Sequence, residues 1–403
     1  MSERPRYLID FETRSACDLK RRGAHVYAEH PSTRLLCLSW VNLNNRAHRG
    51  NWRAWPEPQD PPEHLFHPDA ERWAWNASFE QLIWNNVGPD YGWPEVDPDS
   101  FHCLMKRAAL AGLPLSLDLA LAAEGAPVAK NMDGHKIMLK WCKPLPVRKS
   151  DPAGLIRWAD DPVEYEILCD YADDDIHGEE WMFDRLYGHA SAFEIEMMRI
   201  DRMINDRGFR IDVEAAEGAA KIARQEIKRL NADMSRLTNG RITTCNQRDR
   251  ILDFAAGFGV ELPNLRSATV RDSLSDEEDE MDGLAFDMMS VQMPPIVRQV
   301  LELRYEANKA SVAKLDAMVR GVGDDGYFRG GFAYCGAAKT GRAAGRRVQP
   351  HNFARMNPPK DVAEDVWFDA LKTGDREYFA SLLPEGWSVM DGLKASLRGL
   401  IIP

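Results

Sequence analysis

Residues 7–14 read Tyr-Leu-Ile-Asp-Phe-Glu-Thr-Arg, an apolar run that ends in two acids set two residues apart. Side chains alternate between the faces of a strand, so Asp10 and Glu12 must project from the same side. Two carboxylates on one face are half of a two-metal site. A pair of divalent cations roughly 3.5–4 Å apart has to be bridged and neutralised by several carboxylates, so further acids are expected downstream. Glu80, in Trp75-Asn76-Ala77-Ser78-Phe79-Glu80, and Asp175, four residues after Tyr171, are the candidates.

The rest of the chain has to bring those positions together. Tyr7–Phe11 reads as one buried strand and 35–41 as another, and helical patterns alternate with them, which predicts an α/β sandwich. Glu80 falls in the first turn of a helix expected over 79–87, entered from a short strand at 73–75. Leu168, Tyr171, Asp175, Met182 and Leu186 recur at helical spacing within 165–186, so Tyr171 and Asp175 share one face. Past residue 190 the pattern changes. Ala223, Ile227, Leu230, Met234 and Leu237 form one long stripe, and Val297, Leu301, Tyr305, Val312, Leu315 and Val319 form a second, as two long paired helices would. Between them fall a short helix expected to be capped by Asn246, a turn at Pro263-Asn264, and an acidic run from Asp276 to Asp282, read as a solvated loop. Strand-like residues 327–334 open the final part.

A hydrophobic share of 44% in 403 residues is ample for two or three domains. No apolar stretch approaches the length of a membrane span and the polar start lacks a signal sequence, so a cytoplasmic protein without a membrane partner is expected. The seven cysteines contain no C-x-x-C pair and carry no assigned chemistry. A net charge of −12 argues against a phosphate-rich ligand on average, yet residues 327–360 contain no Asp or Glu and seven Lys or Arg: Arg329, Lys339, Arg342, Arg346, Arg347, Arg355 and Lys360. That segment is the better guide to a partner.

Taken in order, Asp-Phe-Glu-Thr after an apolar strand, Asn-Ala-x-Phe-acid at a strand-to-helix junction and Tyr-x-x-x-Asp on a helix resemble the three motifs of the DEDD-type 3′–5′ exonucleases, whose fold is ribonuclease H-like. The resemblance implies that Asp10, Glu12, Glu80 and Asp175 bind two Mg²⁺ or Mn²⁺ ions, in keeping with the preference of hard cations for oxygen ligands. It also implies that Tyr171 holds the attacking water, and that Asn76 and Phe79 contact the DNA strand. Glu80 stands where the motif usually has Asp, and Trp75 where His is frequent; the indole reads as packing under the sheet.

The likeness extends further. Asp10–Arg14, Asp18–Gly23 and Tyr27–Thr33 resemble the opening of bacteriophage and prophage family A DNA polymerases with a proofreading domain, as do residues 130–136 and Met203–Asp212. Gly336–Arg342, continuing through Arg346-Arg347-Val348-Gln349-Pro350-His351-Asn352, is similar to the Thr-Gly-Arg and Gln-x-x-Asn segment that touches primer–template in that family. The resemblance implies an exonuclease domain over 1–190, a helical thumb over 191–325 and an incomplete palm over 326–403. Arg342 is expected on a phosphate, Arg346 and Arg347 along the same DNA-contacting segment, Gln349 and Asn352 in the minor groove, and Lys314 at a phosphate, with Lys130 and Lys136 as candidates on the same footing as Lys314.

The family would continue beyond Leu397–Pro403 into the catalytic palm and fingers. The expectation is therefore a chain that trims a single-stranded 3′ end and grips primer–template, either with a second chain that carries the rest of the polymerase or as a fragment cut from a longer one. A non-catalytic DNA-clamping subunit is the alternative, in which Glu80 is too long to serve the metals. A stand-alone repair exonuclease is a third reading.

Overall fold

The structure is a computed structural model that describes residues 4–128, 131–149, 151–274, 293–309, 312–337, 340–353, 355 and 357–403. Lys130, Lys339 and the acidic run 276–282 lie outside the described residues. The fold is mixed α/β, and the chain divides into two compact units. One comprises residues 1–209 and 320–351, the other 210–319 and 352–403.

In the first unit five strands form one sheet in the order β3-β2-β1-β4-β5. These are β1 (Arg6–Arg14), β2 (Arg34–Asn42), β3 (Arg49–Arg53), β4 (Glu71–Ala74) and β5 (Phe101–Cys103). The first three pair antiparallel, and β4 and β5 add in parallel. Alternation on β1 decides what each face holds. Tyr7, Ile9 and Phe11 enter one core with Leu38, Trp40, Trp52, Trp84 and Trp93, and Phe11 lies edge-on to Trp84 at 6.2 Å. Leu8 faces the other side and joins Val41, Trp73, Ile176, Phe183 and Leu186. Asp10 and Glu12 follow Leu8 on that second face, where the long helix α3 (Pro162–Leu186) lies. The register with β2 shifts between Glu12 and Thr13, a bulge just past the second acid.

Two shorter helices bear on the site. α1 (Ala77–Val87) starts directly after β4, and α2 (Met132–Trp141) packs against α3. Asn131 caps α2 by accepting from Gly134 N at 2.9 Å. The helix expected over 165–186 begins three residues earlier because Asp161 caps it, accepting from Val163 N, and Pro162 suits its first turn. Further along the unit, α4 (Ala192–Arg207) opens on a capping box at Ser191 and Glu194. The strand-like stretch after Gly326 is two separate strands. Tyr327–Phe328 is followed by β6 (Phe332–Ala337), which turns back onto β7 (Arg342–Gly345).

The second unit is built around α5 (Val213–Leu237) and α6 (Pro295–Lys309). Leu230 and Met234 of α5 share a core with Val297, Val300 and Leu301 of α6 and with Ile251, Phe254 and Val270 of the intervening segment. The second apolar stripe is two helices, Pro295–Lys309 and Val312–Gly321, where one was expected. Asn246 does not cap the short helix Arg248–Ala256; Gln247 occupies that place. The Asn246 side chain instead accepts from Arg304 Nη1 at 2.7 Å, because a buried guanidinium next to the Cys245 carbonyl has the stronger demand for an acceptor. Gly218 lets helix Glu364–Thr373 approach α5 closely, since a Cβ there would meet the Leu371 carbonyl oxygen at 1.8 Å. Ile401 and Ile402 pair antiparallel with Ile211 and Arg210.

Candidate active site

Asp10 and Glu12 reach across from β1 to Asp175 on α3, and one carboxylate oxygen from each lies within 4.8 Å of the others. All three are half-buried. Among the described residues no other set of three His, Cys, Asp or Glu side chains is so gathered. Three like charges this close repel strongly in a partly buried setting, and an all-oxygen donor set fits a hard divalent cation that would offset them.

Glu80 lies outside that group. It is 4% exposed, and one of its carboxylate oxygens accepts from Phe11 N at 3.1 Å, the amide between Asp10 and Glu12. The extra methylene that separates it from an aspartate thus reaches the main chain of β1. Burial raises its proton affinity well above the ordinary range, with Asp10 and Glu12 adding to the effect. A second buried acid, Glu179, went unnoticed in the sequence. It is 2% exposed and accepts from Trp75 N at 3.0 Å, and burial together with Asp10, Glu80 and Asp175 raises its proton affinity likewise. Its spacing of four from Asp175 on a helix was a usable signal, hidden among neighbouring acids of ordinary appearance.

Tyr171 is one turn before Asp175 and 2% exposed, so both residues do share a face of α3. Burial and the carboxylate of Asp175 raise its phenol pKa, so the hydroxyl stays protonated at any working pH. Its ring is backed by α2: a Cβ on Gly134 would sit 2.7 Å from Tyr171 Cβ. Asn131, at the start of α2, donates to Asp174 at 3.1 Å. Lys136 is exposed and pairs with Asp133, three residues before it.

Trp75 is buried, as expected for packing, and its indole donates to the Leu115 carbonyl at 2.9 Å. Asn76 is exposed at the start of α1, and half-buried Phe79 sits with its ring 5.9 Å from that of Tyr27. Asn76, Phe79 and Arg346 line one cavity of about 310 Å³ together with Lys20, His25 and Lys106.

The basic residues separate by environment. Arg342 and Arg346 are exposed, on β7 and just after it. Arg347 is turned inward, where it donates to the carbonyls of Arg22 and Arg329 and lies 4.2 Å from the centre of the Phe328 ring. Burial lowers its pKa to about 10. Its backbone φ is 54°. Gln349 is exposed, with a φ of 52°. Lys314 and Asn352 belong to the second unit, where Lys314 Nζ lies 5.0 Å from the Phe353 ring centre. Asn352 is exposed. No helix among the described residues is long and apolar enough to cross a membrane.

Comparison with known proteins places these observations beside a polymerase. No family model matches the chain. It is 25% identical over 366 residues to the DNA polymerase of Bacillus phage SP02, across 89% of this chain and 52% of that protein. The chain therefore spans about half the length of the curated relative it matches, and the phage polymerase resemblance rests on a relationship that runs through nearly all of it. Among solved structures it is similar to the POL domain of Pol1 from M. smegmatis, in complex with DNA primer-template and dNTP, with 13% identity and a TM-score of 0.47 over 87% of this chain and 52% of that one.

Proposed function

We propose that this chain is the 3′–5′ exonuclease and primer–template-binding portion of a phage-type family A DNA polymerase. Residues 1–190 are read as a ribonuclease H-like exonuclease domain, 191–325 as a thumb and 326–403 as the first part of a palm. The observation that carries the reading is the gathering of Asp10, Glu12 and Asp175, with Tyr171 one turn away on the same helix face.

In this reading Asp10, Glu12 and Asp175 hold two Mg²⁺ or Mn²⁺ ions, which when bound supply an activated water and stabilise charge on the phosphate. The chain's own residues do the remainder. Tyr171 keeps its proton, so it orients the attacking water by hydrogen bonding and is no base. Glu80 stands beside this group and holds β1 through the Phe11 amide. Asn76 and Phe79 receive the terminal nucleotides at the cavity they share with Arg346, and an unpaired end is preferred because stacking and backbone contacts of this kind suit a single strand. The scissile bond is the last phosphodiester, and the product is a nucleoside monophosphate. Arg342, Gln349, Asn352 and Lys314 contact the DNA.

The test is direct. The protein with Mg²⁺ or Mn²⁺ should shorten a 5′-labelled single strand one nucleotide at a time, EDTA should stop it, and D10A/D175A should abolish it. Undiminished digestion by the double variant overturns the assignment. One observation favours a DNA-clamping subunit instead, namely that Glu80 engages the main chain at Phe11 and is not one of the three gathered acids. That reading predicts retention of the strand with no shortening.

A further inference from the structure

Between residues 173 and 184, α3 carries six acids: Asp173, Asp174, Asp175, Glu179, Glu180 and Asp184. Four of them have partners other than the gathered carboxylates. Asp173 accepts from Ser39 and Asn51, Asp174 from Asn131, and Glu180 and Asp184 pair with Arg46. Asp175 joins Asp10 and Glu12. Glu179 is left. It is a buried acid without a salt bridge among the described residues, and its carboxylate accepts a hydrogen bond from Trp75 N.

That amide occupies a particular corner. Trp75 is the first residue past β4, and the chain then turns into α1 through Asn76, whose carbonyl accepts from Phe79 N at 2.7 Å. The Trp75 carbonyl is held by Met105 N at 2.9 Å and its indole by Leu115. Its amide alone is tied to α3, and it is tied one turn beyond Asp175. The bond therefore joins the helix that carries Tyr171 and Asp175 to the corner that launches Asn76, Phe79 and Glu80.

We propose that Glu179 is a positioning residue, a strut whose carboxylate oxygen fixes the β4–α1 corner against the helix bearing Asp175, and which serves the site through reach and not through charge. The proposal rests on the exonuclease reading above. A strut needs an acceptor at the right distance, so glutamine should replace it. Aspartate, which keeps the acid and shortens the arm by a methylene, should not.

The experiment uses the full chain and its E179Q, E179D and E179A variants. Mn²⁺ binding is read from the loss of the free-ion paramagnetic resonance signal, and kcat and KM are measured on a 5′-labelled oligonucleotide. E179Q should match the parent in Mn²⁺ affinity and kcat to within about 2-fold, whereas E179D and E179A should lose about 10-fold to 100-fold in either, as happens when groups that orient metal ligands are removed. KM for the strand should move little, which separates lost orientation from lost DNA binding. Where E179A fails to fold, glutamine against aspartate decides alone. E179Q as impaired as E179A, or E179D as competent as the parent, overturns the strut. A parent that neither binds Mn²⁺ nor shortens the strand instead removes the exonuclease reading on which the proposal stands.

Discussion

Glu80 shows how one methylene changes what a position does. Its carboxylate reaches the Phe11 amide and is buried there, so the longer side chain has found a structural partner at the centre of the site. Replacing it with the aspartate typical of the motif, E80D, should therefore impair the protein, withdrawing an acceptor from a buried amide at a cost of about 1–3 kcal/mol. A fall in thermal midpoint together with a lower digestion rate is the expected result. The neighbours Arg346 and Arg347 divide in a similar way. Loss of the exposed Arg346 side chain should leave the melting temperature unchanged, whereas R347A frees two carbonyls and empties the space over Phe328, so its melting temperature should fall. Sequence could not separate these two, since identical adjacent residues differ only through a backbone turn into positive φ at the second. Nor could it single out Glu179, because a run of acids on a helix looks the same whether a member is solvated or sealed inside. By contrast Asp10 and Glu12 were legible, as strand alternation alone dictates that they share a face.

The elements around the first site follow from short-range rules that sequence displays well: an apolar strand, a cap at Asp161 before Pro162, and a helix whose Tyr171 and Asp175 repeat at four. The breaks were harder. The division of the second apolar stripe into two helices is invisible to a periodicity that continues across it, and the cap at Gln247 was decided by a distant arginine drawing Asn246 away. A similar long-range demand stabilises α5. Glu226 is 2% exposed and accepts from Arg376 Nε at 2.5 Å and Arg229 Nη2 at 2.7 Å. Burial pushes its pKa up, but the two guanidiniums outweigh burial and the net shift is downward. A carboxyl with a lowered folded pKa contributes stability that is full above its unfolded value of about 4.3 and disappears as pH falls through the folded one. Urea midpoints of the parent should therefore decline below pH ~4, and E226Q should flatten that part of the decline. R376A leaves a buried carboxylate held by Arg229 alone and should lower stability by about 1.5–3 kcal/mol at neutral pH.

Over the whole molecule, a net charge of −12 conceals a segment free of acids, and the exposed Arg342 and Arg346 lie within it. On the proposed reading, affinity for primer–template should weaken as salt rises, and the slope of log K against log salt should drop by about one for each phosphate contact removed, so R342A/R346A is expected to bind more weakly and with a shallower slope. Fluorescence anisotropy across a salt series measures both. The tracing of the chain has a practical corollary. The first unit takes its residues from 1–209 and again from 320–351, and the second from 210–319 and 352–403. Gly330 N donates to the Asn205 carbonyl, Phe332 N to the Asn205 side chain and Arg329 Nε to the Asp206 carbonyl. No single scissile point can release either unit whole, so an expression fragment that stops near residue 209 would leave those acceptors bare and should be recovered as poorly soluble material. A fusion that appends 320–351 through a flexible linker would return them their donors.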